Sequence, residues 1–221
     1  MRETGPADSG GVYTETGLFV CFEGGDGAGK STQSRELSDW LTGLGHEVVL
    51  TFEPGGTDVG QELRRIVLSP ETGELSPRTE ALLYAADKAE HVDTLVRPAL
   101  ERGAVVISDR YVDSSIAYQG AGRVLVQAEV TALQRWATAD LRPHLTVVLD
   151  VEPDHGLGRF DERDRIEAEG SDFHERARQS FLALAAESPG HYLVLDGRAP
   201  VEEIAAAVRA RLEPMLPELT R

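Results

Sequence analysis

Cysteine, clustered histidine and long apolar runs are scarce or missing in this chain. Cys21 is the only cysteine in 221 residues, so no intrachain disulfide can form, and its apolar neighbours predict a buried, non-catalytic side chain. The six histidines are scattered without the spacing of a metal site. No apolar stretch approaches the roughly 20 residues that cross a bilayer, and the N-terminus lacks the apolar core of a signal peptide. We therefore expect a cytoplasmic protein with no membrane segment.

Basic residues are outnumbered by acidic ones. The chain has 22 Lys and Arg against 38 Asp and Glu, a formal net charge of −16 at pH 7. This excess argues against nonspecific binding to nucleic acid, so an anionic ligand must be held by local positive charge. The length and the 41% hydrophobic content suffice for one sizeable core. We predict a single domain over residues 17–213, between a disordered tail of residues 1–16 and a C-terminal tail of residues 214–221.

A glycine-rich stretch follows the first apolar run and reads E-G-G-D-G-A-G-K-S-T from Glu23 to Thr32. It contains the pattern G-x-x-x-x-G-K-[ST] of the phosphate-binding P-loop, in which successive backbone N–H groups point at one phosphate. Lys30, in a solvent-facing loop, is predicted to reach the β- and γ-phosphates, and the Ser31 hydroxyl to ligate Mg²⁺. The predicted nucleotide-phosphate site consists of Gly24, Gly25, Asp26, Gly27, Ala28, Gly29, Lys30, Ser31 and Thr32.

Short apolar runs alternate with helical patterns along the rest of the chain. The segment after the loop has helical spacing, which places the phosphates at a helix N-terminus. A longer helix is predicted from Pro77 to about Arg102, with a kink at Pro98. The alternation indicates a parallel sheet covered by helices on both faces. The predicted strands are Leu18–Phe22, Val48–Phe52, Ala104–Ser108, Leu145–Asp150 and Tyr192–Leu195, with further helices near Val59–Leu68, Ala128–Ala139, Phe173–Ala186 and Val201–Leu212.

The third predicted strand ends in an acid, Asp109, that is followed by Arg110. In P-loop proteins an acid at this place commonly serves Mg²⁺, directly or through water, although capping of the next turn is the alternative. Arg110 falls at the same sheet edge as the P-loop, where a guanidinium could hold a phosphate through two hydrogen bonds. Ser31 and Asp109 are therefore candidate metal ligands, and Arg110 is a candidate phosphate ligand.

Four further motifs carry a family resemblance. They are E-P-G-G-T from position 53, A-L-L-Y-A-A-D-K-A-E-H-V from position 81, D-R-Y-V-D-S-S-I-A-Y-Q-G-A-G-R from position 109 and D-R-I-E from position 164. Together with the P-loop they resemble bacterial thymidylate kinase from Leu18 to about Arg209. The resemblance implies an α/β P-loop nucleoside monophosphate kinase fold, with a five-stranded parallel sheet and helices on both faces. It also implies transfer of the γ-phosphoryl group of ATP to dTMP with Mg²⁺, in dTTP biosynthesis, usually by a homodimer.

The resemblance implies roles at the base end of a dTMP site. Tyr84 falls where the family places an aromatic ring, often Phe, that stacks on thymine. Lys88 stands where family members generally carry Arg facing the O4 edge of the base. Ser114 and Ser115 fall where small polar residues line the base, and Arg123 closes the same stretch. Outside this motif context, an aromatic residue such as Tyr84 at helical spacing is more typical of a core position.

The sugar and phosphate end is implied in the same way. Arg110 should hold the dTMP phosphate, and Asp26 should accept a hydrogen bond from the sugar 3′-OH. Tyr118 should pack near the sugar and disfavour a ribose 2′-OH, although it too is typical of a core position without the motif. Gln119 belongs to the same loop. Glu53 belongs to the turn after the second strand, where the resemblance suggests a cis bond to proline.

Three positions depart from the family pattern. Phe52 replaces the Arg that commonly precedes Glu53, which removes a basic group near the acceptor phosphate. Some members carry an arginine inside the P-loop, but this chain has Gly27 and Ala28 there. The family's alternative is a mobile lid that bears arginines. We expect a lid around residues 154–170, with Arg159 as the catalytic arginine and Arg163 as the other candidate.

Rival functions share the P-loop. Switch GTPases need a guanine-reading N-K-x-D segment, and this chain contains no asparagine. A regulator that binds nucleotide without turnover is harder to separate, although Asp109 and Arg110 favour catalysis. A related kinase acting on another nucleoside monophosphate is the nearest alternative, because Lys88 could alter the choice of base.

Overall fold

The computed structural model describes residues 12–14, 16–123, 125–153, 155 and 164–216. Within them, the predicted parallel sheet of five strands is confirmed, and its spatial order is β2-β3-β1-β4-β5. The strand bounds differ from the prediction by at most two residues. The strands are β1 (Leu18–Gly24), β2 (Val48–Phe52), β3 (Val105–Asp109), β4 (Leu145–Asp150) and β5 (Tyr192–Asp196).

Helices cover both faces of this sheet, as predicted. The first and last helices below pack on one face, and the fourth and seventh pack on the other. None of the helices in the described part of the chain combines the length and apolar character that crossing a membrane requires. The α-helices are α1 (Lys30–Gly43), α2 (Asp58–Leu68), α3 (Pro77–His91), α4 (Arg97–Glu101), α5 (Val112–Ser115), α6 (Gln127–Ala137), α7 (Ser171–Glu187) and α8 (Val201–Leu212).

The central strand β1 is buried on both faces, which explains why its sequence is a continuous apolar run. Val20 and Phe22 pack into the core beneath α1 and α8, whereas Phe19 and Cys21 pack into the core beneath α4. A strand buried on both faces has no solvent side and therefore does not alternate apolar and polar residues. Cys21 is 1% exposed, and burial raises the pKa of its thiol, which agrees with the expected apolar role.

The long helix predicted from Pro77 is interrupted by a change of helix type. Ser76 caps its start, because Ser76 Oγ accepts from Thr79 N at 3.3 Å. After α3 the chain forms a π-helical segment over Val92–Val96 and then continues as α4, which contains Pro98. Proline has no N–H for an α-helical bond, so a wider turn just before it absorbs the missing contact. The expected kink thus takes the form of a π-helical segment.

The ends of the domain lie partly outside the described residues. Most of the predicted N-terminal tail does so, but Val12 forms an isolated parallel bridge with Leu141. Arg142 N donates to Val12 O at 2.9 Å, so this part of the tail packs on the domain. Met215 and Leu216, from the predicted C-terminal tail, pack against the core beside α8.

Strand register determines where the functional motifs meet. Phe22 of β1 and Phe52 of β2 both pair with Asp109 of β3. The loops after these three strands therefore leave the sheet at one edge, which is the position of ligand sites in parallel α/β sheets.

Candidate active site

The P-loop connects β1 to α1, and its glycines are required by geometry. Gly24 has φ 131°, and a Cβ there would lie 2.3 Å from the carbonyl oxygen of Leu149. Gly29, at φ 95°, precedes α1 without a side-chain cap. Thr32 N and Gln33 N both donate back to Gly29 O at 3.1 Å, and since no side chain caps this 14-residue helix, its N-terminus still presents a place where an anion can bind.

Lys30 is more buried than its place in the motif predicts. Its side chain folds over the loop, so that Lys30 Nζ donates to Gly25 O at 2.7 Å and to Gly24 O at 3.2 Å. Only 6% of the residue is exposed. The expectation of a solvent-facing lysine is therefore wrong, because the inward-turned loop carbonyls take up the ammonium hydrogens. The charge nonetheless lies at the phosphate end of the loop.

Ser31 and Asp109 form the oxygen pair expected for Mg²⁺. Ser31 Oγ donates to Asp109 Oδ2 at 2.6 Å, so a hydroxyl at the start of α1 meets a carboxylate at the end of β3. Mg²⁺ prefers oxygen ligands and is typically held by one or two protein groups together with substrate phosphates and waters. The residues present therefore fit this ion.

Arg110 links the end of β3 to the P-loop. Its backbone is left-handed, with φ 73°, and its N–H donates to Phe22 O at 2.9 Å. The guanidinium then reaches three groups: Nη1 donates to Gly24 O at 3.1 Å and to Ser114 Oγ at 3.0 Å, and Nη2 donates to Asp26 Oδ1 at 2.5 Å. The side chain is 16% exposed, so a cation is held in place where two loops meet.

Asp26, the acid within the P-loop, is ionised and shared between two partners. Its Oδ1 accepts from Arg110, and its Oδ2 accepts from the Tyr118 hydroxyl at 3.3 Å. Burial raises the pKa of Asp26, but the positive charges of Arg110 and Lys30 outweigh burial and hold the pKa below its usual range. A carboxylate beside the phosphate cradle is thus stabilised by the same cations that would hold phosphates.

A pocket beside the P-loop brings together every residue predicted for the acceptor site. The residues that line this pocket come from six segments of the chain. They are Asp26, Glu53, Tyr84, Lys88, Arg110, Ser114, Ser115, Tyr118 and Gln119, joined by Pro54, Arg64, Leu68, Asp164, Ile166 and Glu167. A second opening over the P-loop shares Asp26, Glu53, Arg64, Arg110 and Glu167 with it, and also exposes Lys30, Ser31 and Asp109. The two openings therefore meet at Asp26 and Arg110.

Lys88 lines this pocket but is held by an acid. It is 1% exposed, with Nζ 3.1 Å from Glu53 Oε2 and 5.6 Å from the centre of the Tyr84 ring. Glu53 Oε1 lies 2.7 Å from His91 Nδ1. Although burial raises the pKa of Glu53, the Lys88 charge and the His91 hydrogen bond hold it below its usual range. The lysine thus reaches the pocket as part of a buried ion pair.

The same buried network anchors the E-P-G-G turn. The bond between Glu53 and Pro54 is cis, as the resemblance suggested. Asp87 Oδ1 accepts from Gly55 N at 2.9 Å, and its carboxyl is raised to a pKa of about 6 by burial and by the Glu53 charge. Sequence reasoning did not identify Asp87, because its only sign was a polar residue on the inner face of a helix.

α5 and the π-helical segment after it, Ile116–Gly122, form the opposite wall. Ser115 Oγ is buried at this wall and has no protein hydrogen-bond partner in the described part of the chain, which leaves it available to a ligand. The Tyr118 ring lies under the Arg110 guanidinium at 5.2 Å and against Phe173 and Phe181. Tyr118 is therefore both a core residue and a residue that lines the pocket.

Gln119 and Arg123 are bound to a buried acid at the start of α3. Gln119 Nε2 donates to Glu80 Oε1 at 3.0 Å, and Arg123 donates to both Glu80 oxygens at 3.0 Å. Arg165 Nη2 lies 2.5 Å from Glu80 Oε2. Arg123 therefore braces the loop instead of lining the pocket. Arg165, within the lid expected over residues 154–170, is tied to the same acid.

Arg64 is a pocket residue that sequence reasoning missed. It lies on α2, where Nη1 donates to Pro54 O at 2.7 Å and the guanidinium stacks 5.6 Å from the centre of the Phe52 ring. It borders both openings. The sequence did contain one sign of this role. Position 52 lacks the basic residue that is common in the family, and the next helix, α2, places an arginine against the same turn.

Arg159 and Arg163 lie outside the described residues, as do positions 154 and 156–163 as a whole. Where the chain is described again, Asp164 and Glu167 border the acceptor pocket. Asp164 Oδ1 accepts from Glu167 N at 2.8 Å, which forms a tight turn beside the pocket.

The fold and site together define a class of protein. A parallel sheet of this strand order, a P-loop between β1 and α1, an Asp-Arg pair after β3 and a neighbouring acceptor pocket are the features of a P-loop nucleoside monophosphate kinase.

Comparisons with known proteins identify the family within this class. The thymidylate kinase family model matches residues 22–208. The thymidylate kinase of Clavibacter sepedonicus is 60% identical over 200 residues, which cover 89% of this chain and 94% of that protein. That of Cutibacterium acnes is 56% identical over 200 residues, with coverage of 90% and 98%. The crystal structure of thymidylate kinase from Ehrlichia chaffeensis matches with a TM-score of 0.75 and 29% identity, over 90% of this chain and 99% of that one. The chain belongs to the thymidylate kinase family.

Proposed function

We infer that this protein is an ATP-dependent kinase that phosphorylates dTMP to dTDP, a step of dTTP biosynthesis. Membership of the thymidylate kinase family supports the reaction. The observation that carries the inference is the meeting of the phosphate cradle and the acceptor pocket at the Asp26–Arg110 pair. Donor and acceptor phosphates bound on the two sides of this pair would be adjacent, as in-line transfer requires.

On the donor side, we propose that the chain supplies a fixed positive field for ATP. The N–H groups of the loop and of the first turn of α1 bind phosphate oxygens, and Lys30 neutralises charge on the β- and γ-phosphates. Ser31 and Asp109 would hold Mg²⁺, which would supply positive charge to offset that of the ATP phosphates. Arg159 remains our proposal for the lid arginine that acts on the transferring group, with Arg163 as the alternative.

On the acceptor side, Arg110 grips the dTMP phosphate, and Asp26 accepts from the sugar 3′-OH. Arg64 supplies the basic group that Phe52 removes, because its guanidinium borders both openings. The remaining pocket residues recognise the nucleoside. Tyr84 stacks on the base, Lys88, Ser114, Ser115 and Gln119 surround its polar edge, Tyr118 packs against the sugar, and Glu53 holds Lys88.

The test of this function is a substrate profile. The purified protein is assayed for ADP release with ATP, Mg²⁺ and each common nucleoside or deoxynucleoside monophosphate. Turnover that is highest with dTMP supports the proposal. Preference for another monophosphate would establish the alternative kinase, and nucleotide binding without ADP release would indicate the regulator considered from sequence.

Lys88→Arg tests how the lysine reads the base. A guanidinium has donors enough to keep the Glu53 contact and face the base, so we expect KM for dTMP to fall by up to about tenfold. The cytosine analogue dCMP presents a donor where thymine has O4, so its KM should not improve. The measurement is kcat/KM for dTMP divided by kcat/KM for dCMP, compared between the variant and the wild-type protein. A ratio that does not rise, in a variant with normal melting temperature, would place the side chain away from the base.

Asp26→Asn should weaken the acceptor side and spare ATP. The amide keeps the shape of the carboxylate but removes the charge that pairs with Arg110 at 2.5 Å. Loss of a charged hydrogen-bond partner in a largely buried pair costs about 1.5–3 kcal/mol, so KM for dTMP should rise about tenfold or more while KM for ATP stays within about twofold. Initial rates measured with dTMP varied and with ATP varied give the two KM values. A collapse of ATP affinity with unchanged dTMP affinity contradicts the role.

We also propose that the protein works as a homodimer in the cytoplasm, where its nucleotide substrates are made. The support for a dimer is a layer of helices α2, α3 and α6 with large apolar side chains at its surface. Val59 is 52% exposed, Leu82 is 57% exposed and Trp136 is 81% exposed. A second copy of the chain covering this face would remove them from water.

A further inference from the structure

Glu23 is a fully buried carboxylate that the reaction described above does not use. It lies near the end of β1, just before the P-loop, and is 0% exposed. Its Oε1 accepts from Tyr111 N at 2.8 Å and from Ser114 N at 3.1 Å. Its Oε2 accepts from the Ser114 hydroxyl at 2.6 Å. These three donors come from the segment that follows Arg110, and the Cys21 thiol, on the same strand as Glu23, also donates weakly to Oε1 at 3.8 Å.

Two of these bonds make Glu23 a helix cap supplied by a strand. Tyr111 precedes α5 and gives it no side-chain cap. Free N–H groups at a helix start need an acceptor when they are buried, and Glu23 Oε1 provides one. The capped helix continues into the π-helical segment and carries the pocket residues Ser115 and Tyr118.

The third bond reaches the phosphate ligand. The Ser114 hydroxyl has a single hydrogen, which it donates to Glu23 Oε2, so its lone pairs are left to accept from Arg110 Nη1 at 3.0 Å. Glu23 therefore sets the direction of the hydroxyl that fixes one arm of the guanidinium. The left-handed backbone of Arg110, with φ 73°, sets where its side chain begins. The hydrogen bonds of the guanidinium then set where it ends.

Capping alone does not account for an acid at this position. Burial and the neighbouring Asp113 raise the pKa of Glu23 to about 7, so ionising it there is costly. A neutral glutamine could accept from the two N–H groups with one oxygen and avoid that cost. Only a carboxylate presents acceptors on both oxygens, one for the N–H groups and one for the hydroxyl.

We propose that Glu23 is a positioning residue for the acceptor phosphate, acting on Arg110 through the Ser114 hydroxyl. This inference rests on the proposed function, because it assumes that Arg110 holds the phosphate of dTMP. It predicts a defect specific to the phosphate group of the acceptor, separate from recognition of its base and sugar.

The test is Glu23→Gln, assayed by calorimetric binding of dTMP and of thymidine, which lacks the phosphate. The amide oxygen can still cap α5, but the amide N–H₂ opposes the Ser114 hydroxyl and reverses it. At about pH 8, where the wild-type acid is mostly ionised, we expect dTMP affinity to fall about tenfold and thymidine affinity to change less than about twofold. KM for ATP should not change.

Ser114→Ala is the companion variant, because it removes the relay and keeps the acid. Ser114 also borders the base in the proposed site, but loss of that contact weakens dTMP and thymidine alike, so the ratio of dTMP to thymidine affinity should still fall by a similar factor. The double variant should reduce this ratio no further. Equal weakening of dTMP and thymidine by Glu23→Gln would mean that the acid acts only as a helix cap and would overturn the inference. An unchanged ratio in folded variants of both residues also overturns it. If the wild-type protein binds no dTMP, the proposed function fails first, and this inference fails with it.

Discussion

Replacing Lys30 with methionine is expected to lower kcat by a factor of at least about 10³ while leaving the fold intact. Methionine keeps an unbranched apolar side chain of similar length but has no charge. Phosphoryl transfer depends on positioning and on stabilising negative charge spread over the transferring group, and the Lys30 ammonium is a cation held directly on the P-loop. The loss should therefore appear in kcat more than in the KM for dTMP.

The structure gives this prediction a specific form. Burial and the charge of Arg110 lower the pKa of Lys30, and Asp109, Asp26 and Glu23 oppose them. Its ammonium donates to the carbonyls of Gly24 and Gly25. Phosphate oxygens would replace these carbonyls as acceptors, so the hydrogen bonds are exchanged when ATP binds, and the charge does not have to be brought in from solvent.

Lys30→Arg is the charge-keeping control, and it should retain more turnover than Lys30→Met at a similar melting temperature. A second measurement does not depend on activity. An acyl-phosphate analogue of ATP acylates a lysine beside its terminal phosphates, and the chain has only Lys30 and Lys88 to modify. Mass spectrometry should find the label on Lys30. Label on Lys88 alone, or turnover within tenfold of wild type in a folded Lys30→Met variant, contradicts the assignment.

The sheet could be predicted closely from sequence because its strands are buried on both faces. Such strands read as short apolar runs, and the loops between them carry glycine, proline or acids that stop the run. β2 and β4 match their predicted bounds, Val48–Phe52 and Leu145–Asp150. The π-helical segments could not be predicted, since their apolar spacing does not differ enough from that of an α-helix and their cause lies in packing.

The site was predicted as a set of residues more completely than as a set of contacts. The motifs follow successive strands, and parallel strands end at one edge of the sheet, so the residues of these motifs were expected to meet in one pocket. The ion pair between Glu53 and Lys88 joins residues on separate elements, and the cap that Glu23 gives to α5 crosses from a strand to a helix. Such pairings depend on depth and side-chain direction, which one-dimensional spacing does not contain. Arg64 was missed for the same reason.

Arg110→Lys is expected to reduce kcat/KM for dTMP by about 10²-fold or more. The guanidinium of Arg110 is planar and donates at once to Asp26, Gly24 and Ser114, with distances between 2.5 and 3.1 Å. A lysine ammonium is a point charge that cannot keep these contacts and also present two parallel donors to a phosphate. The charge is conserved in this variant, so the loss measures geometry.

The backbone at this position makes lysine the appropriate replacement. Lysine and arginine are both unbranched at Cβ and therefore pay a similar penalty at φ 73°, so Arg110→Lys leaves that strain nearly unchanged and the two proteins differ mainly beyond the backbone. Arg102→Lys is the matched control. Arg102 pairs with Glu47 at 2.7 Å on the surface, with about half of each side chain exposed, and such pairs contribute little.

The two variants separate the role of Arg110 from a general effect of removing a guanidinium. Arg102→Lys should keep both KM values and kcat within about twofold. Arg110→Lys should raise KM for dTMP and lower kcat, because the acceptor phosphate is bound less tightly and is less well aligned with the γ-phosphoryl group of ATP. If Arg110→Lys instead raises only the KM for ATP, the arginine belongs to the donor side. The acceptor phosphate would then have to be held chiefly by Arg64, which borders the same pocket.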